Sequence, residues 1–251
     1  MKSPICLVLL LMYCLQADAQ KVRDKQIRDR QLFIENGLID IQAGIAIPVM
    51  DFADNNFKKA SGYATLGYAV RLGIRYDILP TFGLGLHYQY FQNGFDQSDY
   101  LDDMRTANKG VTINSFSSDP WNLQGMMFGL YCPLKSSRSS IDIGLAGGVL
   151  TGSYPENVLN FNDPTVPGRV YNIKQFETSA ANFAFQAGVK MRYQLYKSIM
   201  LSASADFTYT EIDYTDIRAE ETNSHVTIPL DTYTQYYHII QLSAGIGIQV
   251  K

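Results

Sequence analysis

The C-terminal stretch of the chain alternates without interruption. His238, Ile240, Leu242, Ala244, Ile246, Ile248 and Val250 fall on even positions, and Gln241, Ser243, Gly245, Gly247, Gln249 and Lys251 lie between them. A period of two is the period of a β-strand, so one face is apolar and the other polar. The same segregation recurs upstream. The spacing predicts strands over Leu38–Val49, Tyr63–Asp77, Thr81–Phe91, Trp121–Cys132, Ser140–Gly152, Asn182–Tyr196 and Met200–Thr210, making eight with the last. In the second strand Leu66, Tyr68, Val70, Leu72, Ile74 and Tyr76 share one parity, while Arg71 and Arg75 share the other. In the sixth, Phe183, Phe185, Val189, Met191 and Tyr193 oppose Gln186, Lys190 and Arg192. The fourth strand blurs the alternation at Met126-Met127-Phe128, where a bulge is expected and the orientation of the faces is left open.

Charges kept off one face of every strand describe a barrel wall whose outside meets hydrocarbon. The links support that reading. Those at Leu79-Pro80, Lys135-Ser136-Ser137 and Lys197-Ser198 are tight. Those at Asp54-Asn55-Asn56, Asp99 to Ser118, Pro155 to Thr178 and Ile212 to Gln235 are longer and polar, and the two kinds alternate. Short periplasmic turns and long external loops are the habit of outer-membrane barrels, which predicts both termini in the periplasm. Aromatic residues are expected in two interfacial girdles, with Tyr63, Tyr88, Tyr90, Trp121, Phe183, Phe185, Phe207, Tyr209 and Tyr236 at the outer end. Tyr76, Phe82, Tyr131 and Tyr193 are placed at the inner end.

Residues 37–251 thus resemble the small eight-stranded outer-membrane barrels of OmpA and OmpX type, and in particular the porin-like outer-membrane β-barrel family common in Bacteroidota. The final strand Leu242-Ser243-Ala244-Gly245-Ile246-Gly247-Ile248 and the Gln at position 20 carry the likeness, although the chain ends Val250-Lys251 where that class usually ends in an aromatic. The resemblance implies an all-β, eight-stranded antiparallel up-and-down transmembrane barrel. It also implies contact with outer-membrane lipid and lipopolysaccharide, and assembly by the barrel-insertion machinery.

Ahead of the barrel, Lys2, an apolar run from Ile5 to Leu15 and Ala17-Asp18-Ala19 predict a signal peptide over residues 1–19, cleaved before Gln20. Residues 20–36 read as a polar periplasmic lead. Cleavage removes Cys6 and Cys14 and leaves Cys132, so neither an intrachain disulfide nor a thiolate metal cluster is expected. A net charge of -3 gives no reason to expect nucleic acid.

The inward parity carries the candidate chemistry: Asp40, Arg71, Arg75, His87, Asp142, Lys190, Arg192 and Asp206. Eight strands enclose only enough space for side chains, so these charges are expected to pair across the lumen as a plug, with glycines making room for the long cations. Turns centred on Leu79 and Ser198 would set Arg71 against His87 and Lys190 against Asp206. His238 lies on the lipid-facing parity near Tyr236, but no Ser and acid accompany it at a spacing that nucleophilic catalysis needs. His87 and His225 belong to no metal-ligand spacing, and the acidic segments at 96–103 and 211–221 lack a regular calcium loop.

No enzymatic site, cofactor or metal is expected. The leading expectation is a structural or surface-interaction barrel, with an extracellular ligand at loops bearing Tyr100, Phe116, Tyr154, Phe161, Tyr171, Phe176, Tyr214 and Tyr233. A narrow porin for small solutes is the alternative. A soluble periplasmic barrel with its apolar parity turned inward is a third possibility of a different class.

Overall fold

A computed structural model describes residues 37–250 apart from 57–60, 137, 163–164, 167, 223, 225 and 230–231. The predicted signal peptide, the polar lead and His225 lie outside the described residues. Eight long strands close a barrel: β1 (Gly37–Pro48), β2 (Ala64–Leu79), β3 (Phe82–Phe95), β5 (Trp121–Lys135), β6 (Ser139–Tyr154), β9 (Thr178–Tyr196), β10 (Ile199–Tyr214) and β13 (Tyr233–Val250). Each pairs antiparallel with its neighbours in the order β1-β13-β10-β9-β6-β5-β3-β2, and β1 against β2 and β13 shuts the ring. Every edge in the ring is therefore paired.

The outward parity is apolar on every strand. Ile39, Ile41, Leu72, Ile74, Phe128, Leu130, Ile143, Leu145, Val189, Met191, Ile246 and Ile248 are all at least two-fifths exposed. Along β1 this face runs from Ile39 to Ile47, about the length of strand that crosses a bilayer when tilted. Above it the outward residues turn polar, at Asn122 and Gln124 on β5 and at Glu211 and Asp213 on β10. A continuous apolar belt of this size is foreign to a water-soluble surface. An even-numbered, closed, antiparallel ring with an apolar outside and a polar inside has the architecture of a transmembrane β-barrel.

The long links hold more structure than their polarity suggests. A 3-10 turn (Met50–Phe52) follows β1, and helix α1 (Gln97–Ala107) follows β3, capped by Asp96, whose side chain accepts from the Asp99 N–H. Strands β4 (Ile113–Ser118), β7 (Asn157–Asn162), β8 (Val170–Gln175), β11 (Arg218–Glu221) and β12 (Val226–Pro229) form a second sheet in the order β12-β11-β8-β7-β4. Three different links build this sheet: β7 with β8 and β11 with β12 pair within a link, while β4 with β7 and β8 with β11 join one link to another. On the β4 edge, Arg105 donates to the Ile113 carbonyl and Gln97 to that of Ser118, so side chains on α1 occupy the backbone acceptors there.

Two register expectations are corrected. In the β2–β3 hairpin Arg71 lies opposite Gln89, and His87 opposite Gly73, because the turn is centred nearer Pro80 and the register shifts between Asp77 and Leu79. In the β9–β10 hairpin Lys190 lies opposite Ser204, and Asp206 opposite Gly188, with an irregularity at Ile199 and Met200. The bulge expected in β5 is also absent. Its pairing with β3 and with β6 runs without a shift through Met126, Met127 and Phe128.

Candidate functional site in the lumen and its cap

The inward parity changes character along the barrel. Toward the tight turns it is ionic. Arg75 is paired with Asp77 at 2.8 Å and with Asp142 at 2.6 Å, and Arg192 reaches Asp142 at 2.6 Å. Ser140 donates to Asp142, and Lys135 meets the second oxygen of Asp77 at 2.7 Å. Higher in the lumen Arg71 binds Asp206 at 2.8 Å and donates to Gln241 at 2.9 Å, while Lys190 pairs with Asp40. His87 Nε2 is 2.9 Å from Gln186 Oε1, and Gln186 donates onward to Gln89 and Thr208. All eight inward residues singled out from the pattern take part in this web, though Arg71, His87, Lys190 and Asp206 do so without the hairpin partners expected for them. The pairs Arg71–Asp206, Arg75–Asp142 and Lys190–Asp40 each join strands three places apart around the ring. Asp77 and Lys135 belong to the web as well. Both lie beside the tight turns: Asp77 ends the second predicted strand, and Lys135 falls in a predicted connection.

Tyr131 corrects the girdle assignment. It points into the lumen, with the Arg75 guanidinium 4.8 Å from its ring centroid and its hydroxyl 3.5 Å from His87 Nδ1. The ring lies on bare backbone. A Cβ at Gly85, Gly129 or Gly144 would come within 2.6–2.7 Å of its atoms. Glycine was expected to make room for long cations, and at these three positions it makes room for an aromatic ring instead. Gly188 does serve the charge web, since a Cβ there would collide with the Asp206 carboxylate.

Toward the loop end the same inward parity becomes apolar. Ala46, Ala69, Phe91, Leu123, Met127, Leu150, Ala184, Ile212 and Ile239 are buried there. Aromatic rings close over them. Phe52, brought in by the 3-10 turn, sits 5.9 Å from the Trp121 ring and 4.8 Å from that of Tyr237. Trp121 also meets Tyr154 at 5.4 Å. Trp121 donates its indole N–H to the Gly62 carbonyl, and the hydroxyls of Tyr214 and Tyr237 share a hydrogen bond at 2.5 Å. Trp121 and Tyr63 are thus further corrections to the girdle, for both are buried. Tyr63 donates to Asp103 and packs on Phe95 and Tyr100, joining the barrel mouth to α1. Burial pushes the Tyr100 phenol above its ordinary range.

The remaining girdle residues are on the outside. Tyr76, Tyr88, Phe183 and Tyr193 are exposed, and Phe82, Tyr90, Tyr209 and Tyr236 are partly covered by their neighbours on the same face. His238 lies outward among Phe207, Tyr209 and Tyr236, with ring centroids 5.1–6.5 Å away. Among the described residues no group of three or more His, Cys, Asp or Glu side chains could hold a metal ion. Between the ionic layers a cavity of about 30 Å³ remains, lined by Asp40, Arg71, His87, Tyr131, Lys190 and Asp206 among others. That is room for one or two water-sized groups.

Neither a protein-family model nor a curated protein matches the chain. Among solved structures it is similar to a Neisserial surface protein, NspA, at 12% identity and TM-score 0.44, covering 86% of this chain and 97% of that one. It is similar also to Ail, the attachment invasion locus protein of Yersinia pestis, at 15% identity and TM-score 0.43, covering 86% and 100%. A major outer membrane protein from Thermus thermophilus aligns at 14% identity and TM-score 0.48, covering 84% and 98%. The eight-stranded ring stands on its own strand pairing.

Proposed function

We propose that this protein is an integral outer-membrane barrel with a closed lumen, whose task is structural or is carried out at its outer surface by the folded cap. The aromatic and aliphatic layer at the loop end carries this reading. A path for solutes would have to pass Phe52, Trp121, Leu123, Leu150, Tyr237 and Ile239, all no more than 2% exposed. The ionic web beneath supports the same conclusion, because its charges are spent on one another. Outer-membrane lipid and lipopolysaccharide meet the apolar belt, the barrel-insertion machinery assembles it, and both termini lie in the periplasm. The cap faces outward, and its polar sheet is the surface offered to an external ligand. We assign no catalytic role: His238 packs among the rings of Phe207, Tyr209 and Tyr236 on the outward face, as an interfacial anchor does.

Cell fractionation tests the placement. The expected result is recovery with the outer membrane, solubility only in surfactant and a heat-dependent shift in gel mobility. Monomeric protein in a surfactant-free periplasmic extract would contradict it and favour the soluble barrel. Uptake of small sugars by reconstituted vesicles separates the closed barrel from a narrow porin, with none expected.

A further inference from the structure

The two ends of the barrel wall carry opposite charge. Toward the loops, the outward charges on β10 are the carboxylates Glu211 and Asp213. At the tight turns the exposed charges are cations, Arg138 in the β5–β6 link and Lys197 in the β9–β10 link. The remaining tight link, Pro80-Thr81, carries no charge, so the cations gather on one side of the ring.

Gln194 on β9 holds the two cationic links together. Its backbone N–H donates to the Arg138 carbonyl at 2.8 Å, and its side-chain amide donates to the Lys197 carbonyl. Among the described residues neither Arg138 nor Lys197 is in a salt bridge, whereas Lys135 beside them is spent on Asp77 in the lumen. Lys197 has a φ of 34°, a left-handed backbone that glycine or asparagine adopts at less cost. Its ammonium stands 5.5 Å from the centroid of the exposed Tyr196 ring. A strained lysine in a tight turn is a poor choice for the turn and a useful one for a ligand.

Next to this pair the outward wall is apolar, with Ile141, Tyr193 and Leu195 42–60% exposed. Tyr193 lies opposite Ser139, the residue that follows Arg138 in the chain, so strip and cations adjoin. A free anion would find only two solvated side chains here. An anion with hydrocarbon attached gains the charge-assisted bonds and the apolar strip together.

We propose that these two links bind one anionic glycerophospholipid of the periplasmic leaflet, its phosphate taken by Arg138 and Lys197 and its acyl chains laid along Ile141, Tyr193 and Leu195. Such a site requires the membrane placement proposed above, with the tight turns in the periplasm.

Native mass spectrometry of the mature protein tests this, with the barrel folded in nonionic surfactant and offered phosphatidylglycerol or phosphatidylcholine of the same acyl chains. One phosphatidylglycerol is expected to stay bound in preference to phosphatidylcholine, and glycerol phosphate is expected not to displace it. Arg138→Gln with Lys197→Gln should weaken the apparent affinity about thirtyfold. Lys109→Gln with Arg169→Gln, which removes the same charge at the loop end, should leave it unchanged. Equal retention of the two lipids, a preference that survives Arg138→Gln with Lys197→Gln, or displacement by glycerol phosphate would overturn the proposal. A heat-shifted gel band checks that each variant folds. A barrel that shows this shift without lipid preference loses the site and keeps its membrane placement, whereas surfactant-free monomer from the periplasm would remove both.

Discussion

Arg71 on β2 donates to Asp206 on β10 at 2.8 Å across the lumen, three strands away around the ring. Neither residue meets the partner that hairpin arithmetic assigns to it. The barrel is narrow enough that a long side chain finds its countercharge across the lumen, not along the wall. Both side chains are at most 10% exposed, so removing one strands the other in a low-dielectric interior. Arg71→Met alone is expected to destabilise the folded barrel by about 3–5 kcal/mol, and Arg71→Met with Asp206→Asn by clearly less. Equilibrium unfolding in urea from lipid or surfactant reads both values, and additive losses would contradict the pairing.

Tyr131 makes a second coupling measurable. Gly144→Ala puts a methyl 2.7 Å from the ring and is expected to cost about 1–3 kcal/mol. In a Tyr131→Ala background the same change should cost little, because the clash has gone. An equal cost in both backgrounds would show that Tyr131 does not lie on Gly144.

Tyr100 ties the cap to alkaline pH. Its phenol is raised above the ordinary 10 by burial, so the folded state holds the proton more tightly than the unfolded chain. Stability is therefore intact below pH 10 and declines as pH rises beyond it. Phenolate absorbance is expected to show a late-ionising component that develops only as the cap opens, and Tyr100→Phe should reduce it by one phenol. Full ionisation at the ordinary phenol pH with the cap still protected from protease would contradict the packing around Tyr100.

The eight strands were legible in the pattern because two constraints coincide along them, a strand period and a sharp division between lipid and lumen. Ile39 to Ile47 and Leu66 to Tyr76 carry both. The fourth strand carried one. Leu123 and Met127 on the inward parity are as apolar as Phe128 and Leu130 on the outward one, so hydropathy does not orient it, and Trp121 and Tyr131 were placed outside. The seal at the loop end was written on the inward parity all the same. Asp142, Gly144 and Ala146 lead to Leu150, and His87 and Gln89 lead to Phe91. That gradient from charge to hydrocarbon is the signal a two-face reading overlooks, because it asks only whether a parity is polar on average. The five-stranded cap sheet had no such signal. Its strands are four to six residues long, and β4 pairs with β7, and β8 with β11, across links far apart in sequence.

Single-channel recording of the reconstituted barrel in a planar bilayer tests the closed lumen most directly. With Phe52, Trp121 and Tyr237 packed together over Leu123 and Leu150, no steady conductance is expected at either polarity. Stable openings of porin size in the unmodified protein would contradict it.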